Sequence, residues 1–288
     1  MFWKGLQTMN IKITADSTCD LPAELLQQHD IDLVPLIVVK ENEEFFDNVT
    51  ITPAEIFAHV ANGGSLCSTA ARSVALYQEL FARYVGNHDC VVHISLGSDF
   101  SSSYQNACLA AQEFDNVLVI DSRNLCAGQG LVVLKAAELA KTAADPEALQ
   151  AQLVDYTHKV ETSFVLDRLD YMVKGGRCST AAALGANLLN LKPCIELRDG
   201  KMSVGKKYRG HYDKCLSNYV RERLADRDDI DYSTLFLIYT QVDDTCLTAV
   251  KNALSQFVGF EHVYENFAGC TISCHCGPGT LGIIFARK

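Results

Sequence analysis

Continuous apolar runs alternate with amphipathic segments along the first half of the chain. Three such runs, DLVPLIVV, CVVHIS and NVLVID, occur before residue 122 and are typical of buried strands, and the alternating segment IKITAD before them is interpreted as a strand as well. The intervening segments carry apolar residues at helical spacing, and one of them opens with Thr52 and Glu55 as a capping box. Alternating strands and helices predict an α/β domain with a parallel sheet covered on both faces. Pro35 marks the run DLVPLIVV as an edge or bulged strand.

The second half of the chain has a different pattern. A hairpin is predicted around Asp199 and Gly200, and a long polar helix follows it. The segments HVYENF, TISCHC and TLGIIFA are interpreted as three strands, with a break at residues 277–279. This half is predicted to be an α+β domain with a mixed sheet. We place the boundary so that residues 9–148 form the N-terminal domain and residues 149–288 the C-terminal one.

Two hydroxyl-rich segments lie where a predicted helix begins. The segment ISLGSDFSSSYQNA covers 94–107, and a second loop, SLCSTAARS, covers 65–73. In open α/β sheets, ligands bind where strands end, and the unpaired N–H groups at a helix N-terminus favour an anion. A carboxylate or phosphate would therefore fit here. The alternative is that one serine caps each helix and the others solvate a turn.

Composition excludes several classes of protein. The formal charge of −10 argues against nucleic-acid binding, which depends on Lys and Arg neutralising phosphates. No apolar run approaches the ~20 residues that span a membrane, and the first ten residues do not form a signal peptide. The twelve cysteines are scattered through apolar runs, where cysteine behaves as a small hydrophobic residue. We therefore predict a cytoplasmic protein with reduced thiols.

One cluster of metal-ligating residue types occurs near the C-terminus, at Cys270, Cys274, His275 and Cys276. Zinc uses such ligands, but the interpretation of TISCHC as a strand would place His275 on the opposite face from Cys274 and Cys276. The chain also lacks a second CxxC pair. We therefore predict neither a metal nor a cofactor.

An ordered set of motifs runs from Ile11 to Phe285: ITADSTCDLP, the pair Ser68-Thr69, SLGSDFSSSYQNA, VIDS, KGGR, LLNLKP and HCGPGTLGI. In this order and spacing the set resembles the DegV family of bacterial fatty-acid-binding proteins. The resemblance implies a two-domain protein that buries the acyl chain of a long-chain fatty acid between its domains. The implied ligand-binding residues are Ser68, Thr69, Ser98, Ser101 and His275. Further candidate contacts with ligand or partner are Gly97, Arg177 and Arg209.

The chain departs from the family pattern at three places. The family follows its hydroxyl pair with Gln-Pro-Ser, whereas this chain has Ala70, Ala71 and Arg72, and Gly97 replaces a serine. The order of Ser68 and Thr69 is also swapped relative to the family, although both keep a hydroxyl. These differences lie at positions that the resemblance assigns to the head group of the ligand. They bear on which ligand is bound rather than on the fold.

The resemblance further implies a carrier rather than an enzyme. In the family, a separate ATP-dependent fatty acid kinase phosphorylates the bound acid, and this chain has no phosphate-binding G-x-x-x-x-G-K motif of its own. Transient contact with a membrane would allow ligand exchange. Two alternatives stay open: a binder of a phosphorylated small molecule, and a hydrolase or acyltransferase with Ser98 as nucleophile and His275 as base. The second would need an acid such as Asp16 or Asp121, and it lacks a G-x-S-x-G motif.

Overall fold

The computed structural model describes residues 8–183, 191–257 and 259–288. Its strands are β1 (Ile11–Asp16), β2 (Ile31–Val34), β3 (Ile37–Lys40), β4 (Glu43–Phe46), β5 (Ser68–Ala70), β6 (Cys90–Ser95), β7 (Val117–Asp121), β8 (Val160–Val165), β9 (Leu191–Arg198), β10 (Lys201–Arg209), β11 (Ile230–Tyr239), β12 (His262–Phe267) and β13 (Leu281–Arg287). Its helices are α1 (Ala23–Gln28), α2 (Pro53–Ala61), α3 (Val74–Ala82), α4 (Ser103–Ala111), α5 (Ala127–Ala140), α6 (Pro146–Thr157), α7 (Asp170–Gly175), α8 (Ser179–Ala182), α9 (Tyr212–Leu224), α10 (Asp244–Leu254) and α11 (Cys270–Cys276). The first three residues of the LLNLKP motif lie outside the described residues.

The N-terminal sheet is parallel, as predicted. Its strands lie in the order β2-β1-β6-β7, and every pair is parallel. Helix α5 packs on β1 and β6 of this sheet and also on β8 and β13 of the second sheet, which explains why it is apolar nearly all round. A Cβ atom on Gly128 would lie 2.2 Å from Thr162 Oγ1, so only glycine permits this close contact between α5 and β8.

The run DLVPLIVV forms two strands rather than the single one predicted. It breaks at Pro35, which has no N–H to donate to a ladder, and β2 joins the parallel sheet while β3 joins a separate antiparallel sheet of order β4-β3-β5. The segment predicted as a hydroxyl-rich loop contributes β5 to that small sheet, with Thr69 opposite Val38. Helix α3 then begins after Ser73, whose hydroxyl accepts a hydrogen bond from the Leu76 N–H.

The C-terminal sheet is mixed, as predicted. Its six strands lie in the order β10-β9-β8-β13-β11-β12, antiparallel except for the pair β11 and β12. The hairpin between β9 and β10 turns at Asp199 and Gly200, which have φ of +52° and +81°. These values are typical of the tight turns that the Asp-Gly pair favours. Within the described residues, no helix is long and apolar enough to cross a membrane.

The segment 270–276 is a helix, and its interpretation as a strand is wrong. Oδ1 of Asp47 accepts hydrogen bonds from the N–H groups of Cys270 (2.8 Å) and Thr271 (3.3 Å), which satisfies donors at the first turn of α11. Oδ1 of Asp20 likewise accepts from the Gly269 N–H at 3.0 Å. Asp20 therefore bonds to the residue that precedes α11, whereas the residue that precedes α1 is Pro22. The boundary between residues 148 and 149 stays a prediction.

Candidate functional site

The site is centred on a hydrogen bond between two distant segments. Oγ1 of Thr69, on β5, lies 2.8 Å from Nε2 of His275, on α11. Side chains alternate along a strand, so Thr69 turns towards α11 while its neighbour Ser68 is exposed. Helix α11 packs against β5, β3, α2 and α7, which fixes the position of His275. The two residues thus meet only because α11 is inserted among elements from the first half of the chain.

The imidazole of His275 is held neutral by its surroundings. Burial, together with the positive charge of Arg177, lowers the pKa of His275 from 6.5 to about 4. Its Nδ1 atom is buried with no hydrogen-bond partner among the described residues. A Cβ atom on Gly175 would lie 2.3 Å from this Nδ1, so the glycine of the KGGR motif lets α7 pack directly against the ring.

Two further polar residues border the same space. Ser101 Oγ accepts a hydrogen bond from the Ser103 N–H (3.1 Å) and lies 2.9 Å from Ser103 Oγ, so it closes the turn before α4. The Arg177 guanidinium donates to the carbonyl oxygens of Gly175 (2.8 Å) and Phe100 (3.3 Å). Arg177 thereby connects the turn after α7 to the turn that carries Ser101.

Behind these polar groups lies an apolar cavity. The volume of this cavity, including the solvent-filled space at its opening, is about 560 Å³. A second cavity of about 330 Å³ continues from it towards β11 and β13. The two cavities share part of their walls and therefore adjoin each other between the parallel sheet and the mixed sheet, and we call the pair the apolar path. The shared residues are Leu125, Phe164, Ile272 and Cys276.

The structure brings only some of the predicted residues to this cavity. Thr69, Ser101, Arg177 and His275 line it. Ser98 does not, because its hydroxyl donates to Asp121 Oδ2 at 2.6 Å and its side chain is exposed.

Three other predicted residues lie elsewhere. Ser68 is exposed on β5, and Arg209 is exposed at the end of β10; neither lines the cavity. Gly97 is buried away from it, and a Cβ atom there would lie 2.9 Å from the Phe100 ring and 3.0 Å from the backbone of Asn124. Glycine at this position is therefore a packing requirement of the turn.

Sequence reasoning missed Thr271. This residue is buried, lines the cavity, and has an Oγ1 atom without a hydrogen-bond partner in the described part of the chain. It precedes His275 by four residues, so both side chains lie on one face of α11. The four-residue spacing is visible in the sequence, but it places the two side chains side by side only if the segment is a helix, and we interpreted it as a strand.

The arrangement of the acidic residues argues against a nucleophilic triad. Burial alone would raise the pKa of Asp16, but the adjacent His93 imidazole and hydrogen bonds from the Tyr77 hydroxyl and the Leu96 N–H hold its pKa below the usual value. The Asp121 carboxylate accepts a hydrogen bond from the Ser98 hydroxyl, and His275 is hydrogen-bonded to Thr69 rather than to a serine. In the described ranges, no group of three or more His, Cys, Asp or Glu side chains is placed to hold a metal ion.

A model of the DegV family of uncharacterised proteins matches residues 10–288. The chain belongs to the DegV family. A DegV domain-containing protein from Clostridium acetobutylicum is 30% identical over 280 residues, covering 96% of this chain and 99% of the relative. The family assignment therefore rests on nearly the whole chain.

Solved structures of DegV proteins share the fold. A DegV family protein from Thermus thermophilus, described as fatty-acid-binding, superimposes with a TM-score of 0.88 at 29% identity and covers 97% of this chain and 100% of its own. DegV from Bacillus subtilis, described as a fatty acid binding protein, gives a TM-score of 0.82 at 27% identity, with coverage of 97% and 100%. The α/β architecture, with a parallel N-terminal sheet and a mixed C-terminal sheet, is thus that of the DegV family.

Proposed function

We propose that this chain binds a long-chain fatty acid and presents its carboxylate to a separate ATP-dependent kinase. The observation that carries the proposal is the apolar path, two adjoining cavities between the two sheets, with Thr69, His275 and Thr271 at its polar end. The DegV relatives described as fatty-acid-binding support the same ligand class. In this proposal the acyl chain occupies the path and the carboxylate lies at its polar end.

The tail supplies most of the binding free energy. Each buried methylene contributes about 0.8 kcal/mol, so an acyl chain of ~16 carbons gains on the order of 10 kcal/mol before the costs of ordering. Walls such as Phe164, Leu125 and Ile272 exclude water from that chain. The head group therefore needs only enough hydrogen bonds to compensate for its desolvation.

Neutral hydroxyl groups hold the carboxylate in this proposal. If His275 carries its proton on Nε2, it donates to Thr69 Oγ1 and leaves the Thr69 hydroxyl proton free for the ligand. Thr271, whose hydroxyl has no other partner among the described residues, then supplies a second donor. The carboxylate keeps its charge because hydrogen bonds to the ionised form favour it.

The head end of the path opens towards the surface. Thr69, Ser101 and Arg177 line both the apolar cavity and an open depression of about 1140 Å³. A carboxylate bonded to Thr69 would thus be reachable from outside while its tail stays buried. This access supports presentation of the carboxylate to a kinase, and the chain itself carries no nucleotide-binding P-loop motif.

The ligand is tested by mass spectrometry of small molecules released from the purified, denatured protein. We expect a stoichiometric fatty acid, and we expect Thr69→Val to retain much less of it. Ser68→Ala is the matched control, since it removes the neighbouring hydroxyl from the outer side of the same strand. Wild-type protein that carries no fatty acid and does not bind added oleate would contradict the proposal, and recovery of a phosphorylated compound would favour the phosphate-binding alternative.

Presentation to a kinase needs a separate experiment. Arg177 and Arg209 are exposed basic residues of the second half, and we propose that they contact the kinase. With fatty-acid-loaded protein, Arg177→Glu and Arg209→Glu should lower acyl-phosphate formation by the kinase, whereas Arg83→Glu, at an exposed position just after α3, should not. Unchanged turnover in both second-half variants would rule out this contact surface without affecting the binding proposal.

A further inference from the structure

A third cavity is lined by charged residues rather than apolar ones. It lies at the beginning of β8, where Val160 and Glu161 border it, whereas Phe164 near the end of that strand borders the apolar path. Its empty space is about 980 Å³. Five arginines line it: Arg123, Arg198, Arg223, Arg227 and Arg287. Neither the fatty-acid proposal nor the kinase contact uses any of them.

The positive charge in this cavity exceeds the negative charge. Three guanidinium groups share the single carboxylate of Glu161, with nitrogen–oxygen distances of 2.6 Å for Arg223, 2.8 Å for Arg227 and 3.4 Å for Arg287. Arg198 pairs with Glu196 at 2.7 Å. The only other carboxylate in the lining is Asp199, so five arginines face three carboxylates, and Asp229 engages Arg227 from outside the lining.

Two of the guanidinium groups have unused donors. In the part of the chain that the structure describes, no carboxylate oxygen lies within 4.0 Å of the Arg123 guanidinium, although the side chain is half-buried. Oδ2 of Asp99 and Nε of Arg123 lie 3.6 and 3.7 Å from the point that a Cβ atom on Gly200 would occupy, so this carboxylate is near Arg123 but does not pair with it. The Nε atom of Arg223 is buried and has no acceptor there either. Unpaired donors of buried cations cost free energy unless an anion satisfies them.

Arg123 is also held in an unusual backbone conformation. Its φ of +52° lies in the left-handed region, which residues other than glycine seldom adopt. Its N–H donates to Asp121 Oδ1 at 2.8 Å, and this bond supports the turn after β7. The turn places Arg123, which pairs with no carboxylate of the described residues, at the wall of a cationic cavity. Backbone conformations of this kind are concentrated at functional sites.

We propose that this cavity binds the phosphate group of a phosphomonoester, independently of the fatty acid. A phosphomonoester carries close to two negative charges at neutral pH and three acceptor oxygens, which matches the excess of two cations in the lining. Guanidinium groups bind phosphate oxygens in a planar, bidentate geometry, and the second negative charge and third oxygen of a phosphate favour it over a single carboxylate. Arg123 supplies the unpaired donors, and the arginines around Glu161 supply the surrounding positive potential.

The full chain is titrated at low ionic strength with inorganic phosphate and with glycerol 3-phosphate, by isothermal calorimetry. A third titration, after those with the two soluble phosphates, uses phosphatidylcholine vesicles with and without phosphatidic acid, whose headgroup is also a phosphomonoester. Binding of the soluble phosphates identifies a free metabolite, and binding only to phosphatidic acid vesicles identifies a lipid headgroup. The test variant is Arg123→Ser and the conservative variant is Arg123→Lys. Arg209→Ser, an exposed arginine outside the cavity, is the matched control.

We expect Arg123→Ser to weaken phosphate binding at least tenfold, which corresponds to about 1.4 kcal/mol, with partial recovery in Arg123→Lys and no change in Arg209→Ser. Binding should also weaken as salt is added. Absence of binding in all three titrations would overturn the proposal, and so would binding that Arg123→Ser leaves unchanged. Fatty acid retention measured on the same variants should be unaffected.

Discussion

Thr69 and His275 are 206 residues apart in the chain, and their side chains lie within hydrogen-bond distance, with Oγ1 of Thr69 2.8 Å from Nε2 of His275. The contact joins the short sheet β4-β3-β5 to the helix α11, which the second half of the chain inserts beside it. The polar end of the apolar path therefore needs both halves of the chain. A change that shifts either element should therefore alter the head-group site.

The first prediction concerns the pH dependence of stability. Because the pKa of His275 falls from 6.5 to about 4 on folding, the unfolded state binds the extra proton between these values. This histidine therefore destabilises the protein as the pH falls from 6.5 to 4, by at most about 3 kcal/mol. His275→Gln should lack this part of the acid sensitivity. Urea unfolding of both proteins at several pH values measures this difference. If the free energy of unfolding changed with pH in the same way in both proteins, His275 would not be buried as a neutral imidazole.

The second prediction concerns the glycine beside the imidazole. Alanine at 175 would place its Cβ 2.3 Å from His275 Nδ1, so the ring must move and its bond to Thr69 should be lost. We expect Gly175→Ala to weaken fatty acid binding about fivefold, since one hydrogen bond contributes on the order of 1 kcal/mol. Gly86→Ala is the control, because a Cβ there meets no atom within 4 Å. Displacement of a fluorescent fatty acid measures both variants, and equal affinities would contradict the proposed head-group site.

The third prediction concerns selectivity for acyl chain length. Ile272 borders both apolar cavities, so a larger side chain there should narrow the path between them. We expect Ile272→Phe to favour shorter acyl chains, measured by mass spectrometry of the acids retained from a mixture. Val263→Phe, a change of the same kind at an exposed position on β12, should leave the distribution as it is. An unchanged distribution in Ile272→Phe would show that the tail does not pass this residue.

The fourth prediction concerns Asp20. Burial, together with the negative charge of Asp47, raises the pKa of Asp20 well above its usual value, and Oδ2 of Asp20 has no hydrogen-bond partner in the described ranges. A folded-state pKa above the unfolded value means that stability is lost as the pH rises.

Asn at position 20 keeps the oxygen that accepts from Gly269 and tolerates the φ of +46° found there. Asp20→Asn should therefore raise the melting temperature, with a gain that grows from pH 4 to pH 8. Asp228→Asn, at an exposed aspartate, is the control. A lower melting temperature for Asp20→Asn at pH 8 would mean that the carboxylate itself is required.

The sequence determined the elements whose signals are local. The buried runs at β1, β6 and β7, the capping box at Thr52 and the Asp-Gly hairpin each follow from a few adjacent residues, and the structure has all of them. The ordered motifs also identified the DegV family, and the family model confirms it. Thr69, Ser101, Arg177 and His275 were selected from those motifs, and the structure places them around one cavity.

Tertiary structure decided what depends on distant partners. The segment 270–276 contains residues suited to a strand, yet carboxylates at Asp20 and Asp47 satisfy its first N–H groups and make it a helix. The pairing of Ser98 with Asp121 and the place of Thr271 in the cavity follow from packing in the same way. The sequence shows which hydrogen-bonding and apolar groups each residue carries. Which partner a residue contacts depends on how separate elements pack, in the case of Thr69 and His275 across 206 residues, and the local pattern does not contain that information.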